Sequence, residues 1–295
     1  MIRRGWWKLA LGVLVVLVIA VWDIGAPGHT GQATSTATSA TPTAPESPTA
    51  SPAVPGVVQP AGTPEFSTVF TGSSLDTAVW DTCYPWLQQS GCQNFGNSKE
   101  REWYQPSQVQ VSGGVLHLTA EPKVTQGTTS TGTPKVYHCR SGMVTSFPGF
   151  KFKYGYVQVV ADIPAGNGLW PALWLASANF AVRPEIDILE AWGGPHFYAS
   201  SYFHYSTPAG PKYSSGVIIP ASSASGWHTF SLSWTKTQVT WMLDGRVIMT
   251  STQHVPHQRM YFLADLADEI VSGRTSASAQ CSGSLLIRSV KVWKA

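Results

Sequence analysis

The chain has 295 residues, of which 12% are charged, and a formal net charge of +3. No Lys/Arg cluster follows the amino-terminal segment, which excludes the concentrated basic patch of a nucleic-acid binder. The 13 Trp, 10 Tyr, 11 Phe, 27 Gly and 21 Pro suit an all-β domain with aromatic-lined surfaces.

The chain starts MIRRGWWK, and Leu9 to Trp22 then run unbroken and apolar. That length fits a signal-peptide core and is short for a spanning helix of about 20 residues. Residues 1–25 are therefore read as a signal or membrane-anchor segment, with a lean to an uncleaved anchor whose basic end stays inside. The remainder is expected outside the cell, anchored or secreted. Residues 26–64 are a Pro/Thr/Ser-rich linker with 8 prolines and no aromatic residue. Such a segment lacks the apolar surface to fold. At about 3.1 Å per residue it would reach on the order of 100 Å as an extended tether.

From residue 65 to 295 short alternating runs take over, read as one folded domain. Val109–Ser112, Val115–Thr119, Tyr156–Ala161, Thr229–Trp234 and Val239–Leu243 read as strands. Asp244-Gly245 between Val239–Leu243 and Arg246–Met249 is a hairpin signal. No 12-residue window holds a helical period, so a β-sandwich of antiparallel strands is expected. Cys83, Cys92, Cys139 and Cys281 make an even count in an exported chain, which reads as disulfides. The preferred pairing is Cys83–Cys92 with Cys139–Cys281. Buried thiols are the competing reading, and the absence of a CxxC spacing disfavours zinc.

Residues 184–194 read PEIDILEAWGG, with Glu185, Asp187 and Glu190 inside six residues of a chain that holds only 16 Asp and Glu. On a strand, Glu185 and Asp187 share a face. Glu190 joins them only if one extra residue, a β-bulge, interrupts the alternation. Crowded carboxylates raise the pKa of at least one of them. A glycosidase uses that difference: one carboxylate is the nucleophile and one protonated acid serves the leaving oxygen. A solvated polar strand face competes with this reading. A calcium loop suits a β-branched strand poorly.

Residues 166–174, GNGLWPALW, precede the acidic strand, and Trp192 follows it. Flat aromatic faces pack against sugar rings. Trp170, Trp174 and Trp192 are thus candidate substrate contacts, with core packing as the alternative, above all for Trp174.

These residues resemble glycoside hydrolase family 16, the laminarinase and lichenase group, in its bulged E-x-D-x-x-E form. Residues 141–175 and 227–248 resemble further family stretches, and the resemblance covers the chain from residue 65 to 295. It implies a jelly-roll β-sandwich of two curved antiparallel sheets with a concave substrate cleft. It implies Glu185 as nucleophile, Glu190 as acid/base and Asp187 as the group tuning the nucleophile. It assigns His204 to a neighbouring strand approaching the catalytic group, and Glu100 to the minus-side sugars. The sequence departs from the family at Gly96-Asn97-Ser98-Lys99-Glu100 and at Ala267-Asp268-Glu269-Ile270. Catalysis needs no cofactor, and the resemblance is compatible with a structural calcium ion whose ligands the sequence does not place. A monomeric, exported, retaining endo-glycosidase acting on β-1,3 or mixed β-1,3/1,4 glucan is the leading expectation. A wall transglycosylase on the same residues and a non-catalytic carbohydrate-binding protein are the alternatives.

Overall fold

Alternation of apolar and polar residues, broken by Gly- and Asp-bearing turns, builds a fold of strands. The computed structural model describes residues 59–86, 100–129, 132–180, 184–193, 198–208, 210–214, 218–220, 226–269 and 281–295. The amino-terminal apolar run, most of the linker and Cys92 lie outside the described residues. In chain order the strands are β1 (Phe66–Val69), β2 (Glu102–Tyr104), β3 (Val109–Ser112), β4 (Val115–Ala120), β5 (Thr125–Thr128) and β6 (Pro134–Tyr137). Then come β7 (Cys139–Ser141), β8 (Met143–Thr145), β9 (Gly155–Asp162), β10 (Leu169–Ser177), β11 (Glu185–Trp192), β12 (Tyr198–Thr207) and β13 (Gly210–Ser214). The last are β14 (Ile218–Pro220), β15 (Trp227–Trp234), β16 (Val239–Leu243), β17 (Arg246–Ser251), β18 (Met260–Asp268) and β19 (Gly283–Trp293).

Two antiparallel sheets form the sandwich. One runs β17-β16-β15-β9-β19-β4-β3 with β1 on β19, and the other runs β13-β12-β11-β10-β18-β8 with β14 on β12. This is the expected all-β jelly roll. Between the sheets, Phe230, Leu232, Trp234 and Trp241 of the first meet Leu173, Ile186, Leu189, Phe203 and Phe262 of the second. Each such side chain contributes roughly 1.5–3 kcal/mol by leaving water. The predicted hairpin is present: β16 and β17 join through Asp244 and Gly245, at φ 49 and 76. Positive φ at both central residues matches the turn to the strand twist.

Strands β18 and β8, at one end of the second sheet, are wholly buried, so their outward face must be covered or used. The small parallel pair β2–β7 lies beside it, with Ser141 Oγ donating to the Leu266 carbonyl of β18. Cys139 of β7 is bonded to Cys281 just before β19, with Cα atoms 5.8 Å apart. One expected disulfide is therefore formed. The expected partner of buried Cys83 falls outside the described residues.

Candidate active site

Strand β11 carries the three carboxylates, and its register shows how they share a face. Asp187 pairs with Tyr202 of β12, whereas Glu190 pairs with Ser200. Three steps along β11 therefore match two along β12. On the other side Asp187 faces Trp174 of β10 and Glu190 faces Ala172, the same count. The extra residue is a β-bulge. Ile188 and Leu189 both turn into the core, and Glu190 returns to the side of Glu185 and Asp187. A bulge leaves ladder carbonyls without partners, and buried carbonyls need them. Here Trp241 Nε1 of the opposite sheet donates to the Asp187 carbonyl at 2.8 Å, and Ser201 Oγ donates to that of Ile188 at 2.9 Å.

These carboxylates line a cleft of about 170 Å³ with Trp170, Trp174, Tyr84, Tyr104, Glu100 and Asp265. Ala172 lies at its centre. It pairs with Glu190 on one side and Asp265 of β18 on the other, while Trp170 and Trp174 flank it along β10. A small side chain there leaves room for a ring between two acids and two indoles. Trp170 Nε1 donates to Glu190 Oε1 at 3.1 Å, and Trp174 Nε1 to Asp265 Oδ1 at 2.6 Å. Tyr104 Oη donates to Asp265 Oδ2 at 3.2 Å.

Burial decides the protonation of the set. Asp187 is 2% exposed and Glu190 9%. Burial, then the nearby charge of Asp265, pushes the Asp187 carboxyl well above the usual aspartate range. Burial, then Asp187 and Glu185, pushes Glu190 well up, against the opposing pull of His204 and the Trp170 hydrogen bond. Asp187 and Glu185 share a hydrogen bond. Glu185 is the more exposed of the two, and their hydrogen bond works against the burial that raises Asp187. His204 Nε2 stands 3.0 Å from Asp187 Oδ2 and 3.6 Å from Glu185 Oε1. Burial also raises Asp265 to about 6, against its bonds from Trp174 and Tyr104.

The other expected contacts divide. Trp170 lines the cleft, and Trp174 lines it while also packing into a small apolar cluster with Tyr84, Tyr104 and Tyr261. Trp192 stacks on Trp170 at 5.5 Å, and it is not among the cleft-lining residues. Gly193 follows Trp192 in the chain, and its N–H donates to the Leu169 carbonyl at 2.9 Å. A Cβ at Gly193 would clash with the Gly166 carbonyl oxygen. Glu100 lines the cleft, buried, with Oε2 unpaired. Burial, then Glu102, Asp265 and Glu269, raises its carboxyl to about 9. The sequence departure at Asp268-Glu269 sits here too: Asp268 pairs with Arg101 at 2.7 Å, and Glu269 bridges to Glu100.

Sequence reasoning missed Asp265, Tyr84 and Tyr104. Asp265 had a signal, as an acid inside the apolar run MYFLADLAD. The tyrosines come from irregular or short segments with no period to single them out. Among the described residues, two groups bring three metal-type ligand atoms together: Cys139–Asp268–Cys281, whose thiols form the disulfide, and Glu185–Asp187–His204. Neither offers the six to eight oxygens that calcium takes.

Comparison with known proteins gives one coherent result. Glycosyl hydrolases family 16 matches residues 97–278. The Endo-1,3-1,4-beta-glycanase ExsH of Rhizobium meliloti is 30% identical over 227 residues, 74% of this chain and 48% of that protein. EglC of the same organism, also an Endo-1,3-1,4-beta-glycanase, is 31% identical over 218 residues, 70% of this chain and 46% of that protein. The chain spans about half the length of these relatives. The laminarinase catalytic domain of Thermotoga maritima superposes with a TM-score of 0.65 at 22% identity, over 79% of this chain and 98% of that one.

Proposed function

The chain belongs to glycosyl hydrolases family 16, and from that premise we propose that it is an exported, retaining endo-glycosidase cleaving β-1,3 or mixed β-1,3/1,4 glucan. One observation carries the reading: the bulge puts Glu185, Asp187 and Glu190 on one face of a narrow aromatic cleft, with burial and neighbouring charge pushing the Glu190 carboxyl well up. The relatives named as glucanases support the substrate class.

In the proposed reaction a sugar ring lies over Ala172 against the Trp170 indole. Glu185 attacks the anomeric carbon while Glu190 protonates the departing glycosidic oxygen. The bond from sugar to leaving oxygen breaks as the bond to Glu185 forms. Asp187, keeping its proton, donates to Glu185 and lets go as charge on Glu185 is spent. Ionised Glu190 then takes a proton from water, which attacks the glycosyl–Glu185 ester and restores the starting configuration. His204 orients the Glu185–Asp187 pair. No step calls for a metal or a cofactor.

The test uses laminarin, barley glucan, lichenan, xyloglucan, agarose and a bacterial exopolysaccharide, with products sized by chromatography. Shortened oligosaccharides from a β-1,3 or mixed-linkage glucan are expected. Glu185→Gln is expected to lower turnover by at least about 10²-fold with the fold intact. Near-normal turnover in that variant removes the assignment. Products longer than the substrate would show transfer to sugar in place of water.

A further inference from the structure

A second depression, about 620 Å³, opens at the end of the sandwich where the β15–β16 turn, the β17–β18 connection and the ends of β11 and β12 meet. Pro184 and Tyr205 line it. Their chain neighbours Glu185 and His204 belong to the catalytic group. The two sites therefore draw on neighbouring residues and share no lining side chain.

The chemistry of the second site is the reverse of the first. Lys236, His254 and His257 supply cationic or protonatable groups, with hydroxyls and Gln258 between them, and none of its lining side chains is a carboxylate. The His254 ring stacks on Tyr205 at 3.9 Å and 10°. His257 Nδ1 lies 2.8 Å from the Tyr154 hydroxyl. Further cations surround it. Lys153 stands 5.1 Å over the Tyr154 ring, and Arg259 donates to the Lys151 carbonyl. The backbone is strained here as well: Tyr154 sits at φ 61 and His254 at φ 55. For a bulky residue such as Tyr that is a true outlier, of the sort that collects at binding sites.

We propose that this depression binds an oxyanion-bearing glycan segment, apart from the chain being cut. The acid-lined cleft repels such a polymer, whereas the basic end pocket attracts it. The Tyr205–His254 stack offers a flat face for a sugar ring, and Lys236 and His257 reach its carboxylate or phosphate groups. The enzyme would thus be held on an anionic polymer while it works on a neutral one.

Affinity electrophoresis of the full-length protein tests this, in gels holding polygalacturonate, poly(glycerol phosphate) or no polymer. Salt-sensitive retardation by at least one polyanion is expected, and the two arms separate carboxylate from phosphate recognition. Lys236→Ala/His254→Gly is expected to weaken retardation at least about tenfold with neutral-glucan hydrolysis unchanged. Lys123→Ala/Lys294→Ala, which removes two exposed charges elsewhere, is expected to retain it. If the first pair loses its thermal transition, Lys236→Glu alone carries the test at an exposed turn. No retardation by either polyanion, or equal loss in both pairs of variants, overturns the proposal. Since hydrolysis is read separately, an inactive protein that is still retarded would sink the catalytic reading and leave this one standing.

Discussion

Deleting Leu189 should leave the proposed enzyme active. Asp187 and Glu190 are already paired two residues apart on β12 and two apart on β10. Removing one of the two core-facing bulge residues turns β11 into a regular strand without moving either pairing. Glu185, Asp187 and the former Glu190 then alternate onto one face by simple period two. The cost is the loss of Leu189, which is fully buried, and loss of a buried Leu side chain costs about 2–5 kcal/mol. One ladder bond regained where the bulge stood returns about 1 kcal/mol. The net is about 1–4 kcal/mol. At about 2–4 °C per kcal/mol for a domain this size, the melting temperature falls by roughly 3–15 °C. Calorimetry and glucan hydrolysis, with Glu190→Gln as the inactive reference, make the assay. A variant that melts in that window but is no more active than Glu190→Gln refutes the reasoning, since the bulge would then act as more than a spacer.

Trp170→Phe keeps a ring and removes the N–H that favours ionised Glu190; the Glu190 pKa should rise further, and the alkaline limb of kcat/KM should move to higher pH. An unmoved limb contradicts the contact. Gly193→Ala drives a Cβ into the Gly166 carbonyl and should unstack Trp170 from Trp192, lowering kcat/KM by about 10- to 100-fold; wild-type kinetics would show the stack to be idle. Burial holds the Glu102 carboxyl at about 8 in the fold, against about 4.3 when unfolded. The folded state therefore keeps a proton the unfolded one has lost, and this contribution, complete below about pH 4, fades as pH rises through 8. The melting temperature should drop between pH 5 and 9, and Glu102→Gln should flatten that slope, visible by scanning calorimetry. Reducing Cys139–Cys281, which closes a loop with a sequence separation of 142, should cost about 2–5 kcal/mol, measured by urea unfolding with and without reductant.

Much of this was legible because period-two patterning is local. The strands around Val109, Tyr156 and Thr229 and the Asp244-Gly245 hairpin show it directly, and the bulge follows from requiring three acids on one face. What stayed hidden depends on pairing between distant strands. That Ala172 faces Glu190 on one side and Asp265 on the other is a fact of the β11-β10-β18 order, and no spacing in the chain encodes it. Trp192 shows the limit from the other direction. Its position after the acids suggested a sugar contact, and its stack on Trp170 is a pairing that no spacing announces. The acidic end of the cleft, where Glu100, Glu102, Asp265 and Glu269 crowd together, joins segments more than 160 residues apart.

The central claim is that Glu185 bonds covalently to the sugar while Glu190 supplies the proton. Peptide mass mapping after treatment with an activated 2-deoxy-2-fluoro glucan oligosaccharide tests it most directly, because the fluorine slows release of the glycosyl–enzyme. The account predicts one added glycosyl unit, on the peptide bearing Glu185 and fragmenting at that residue. A label on Glu190 or Asp187, or turnover of natural glucan with inverted products and no label, would contradict it.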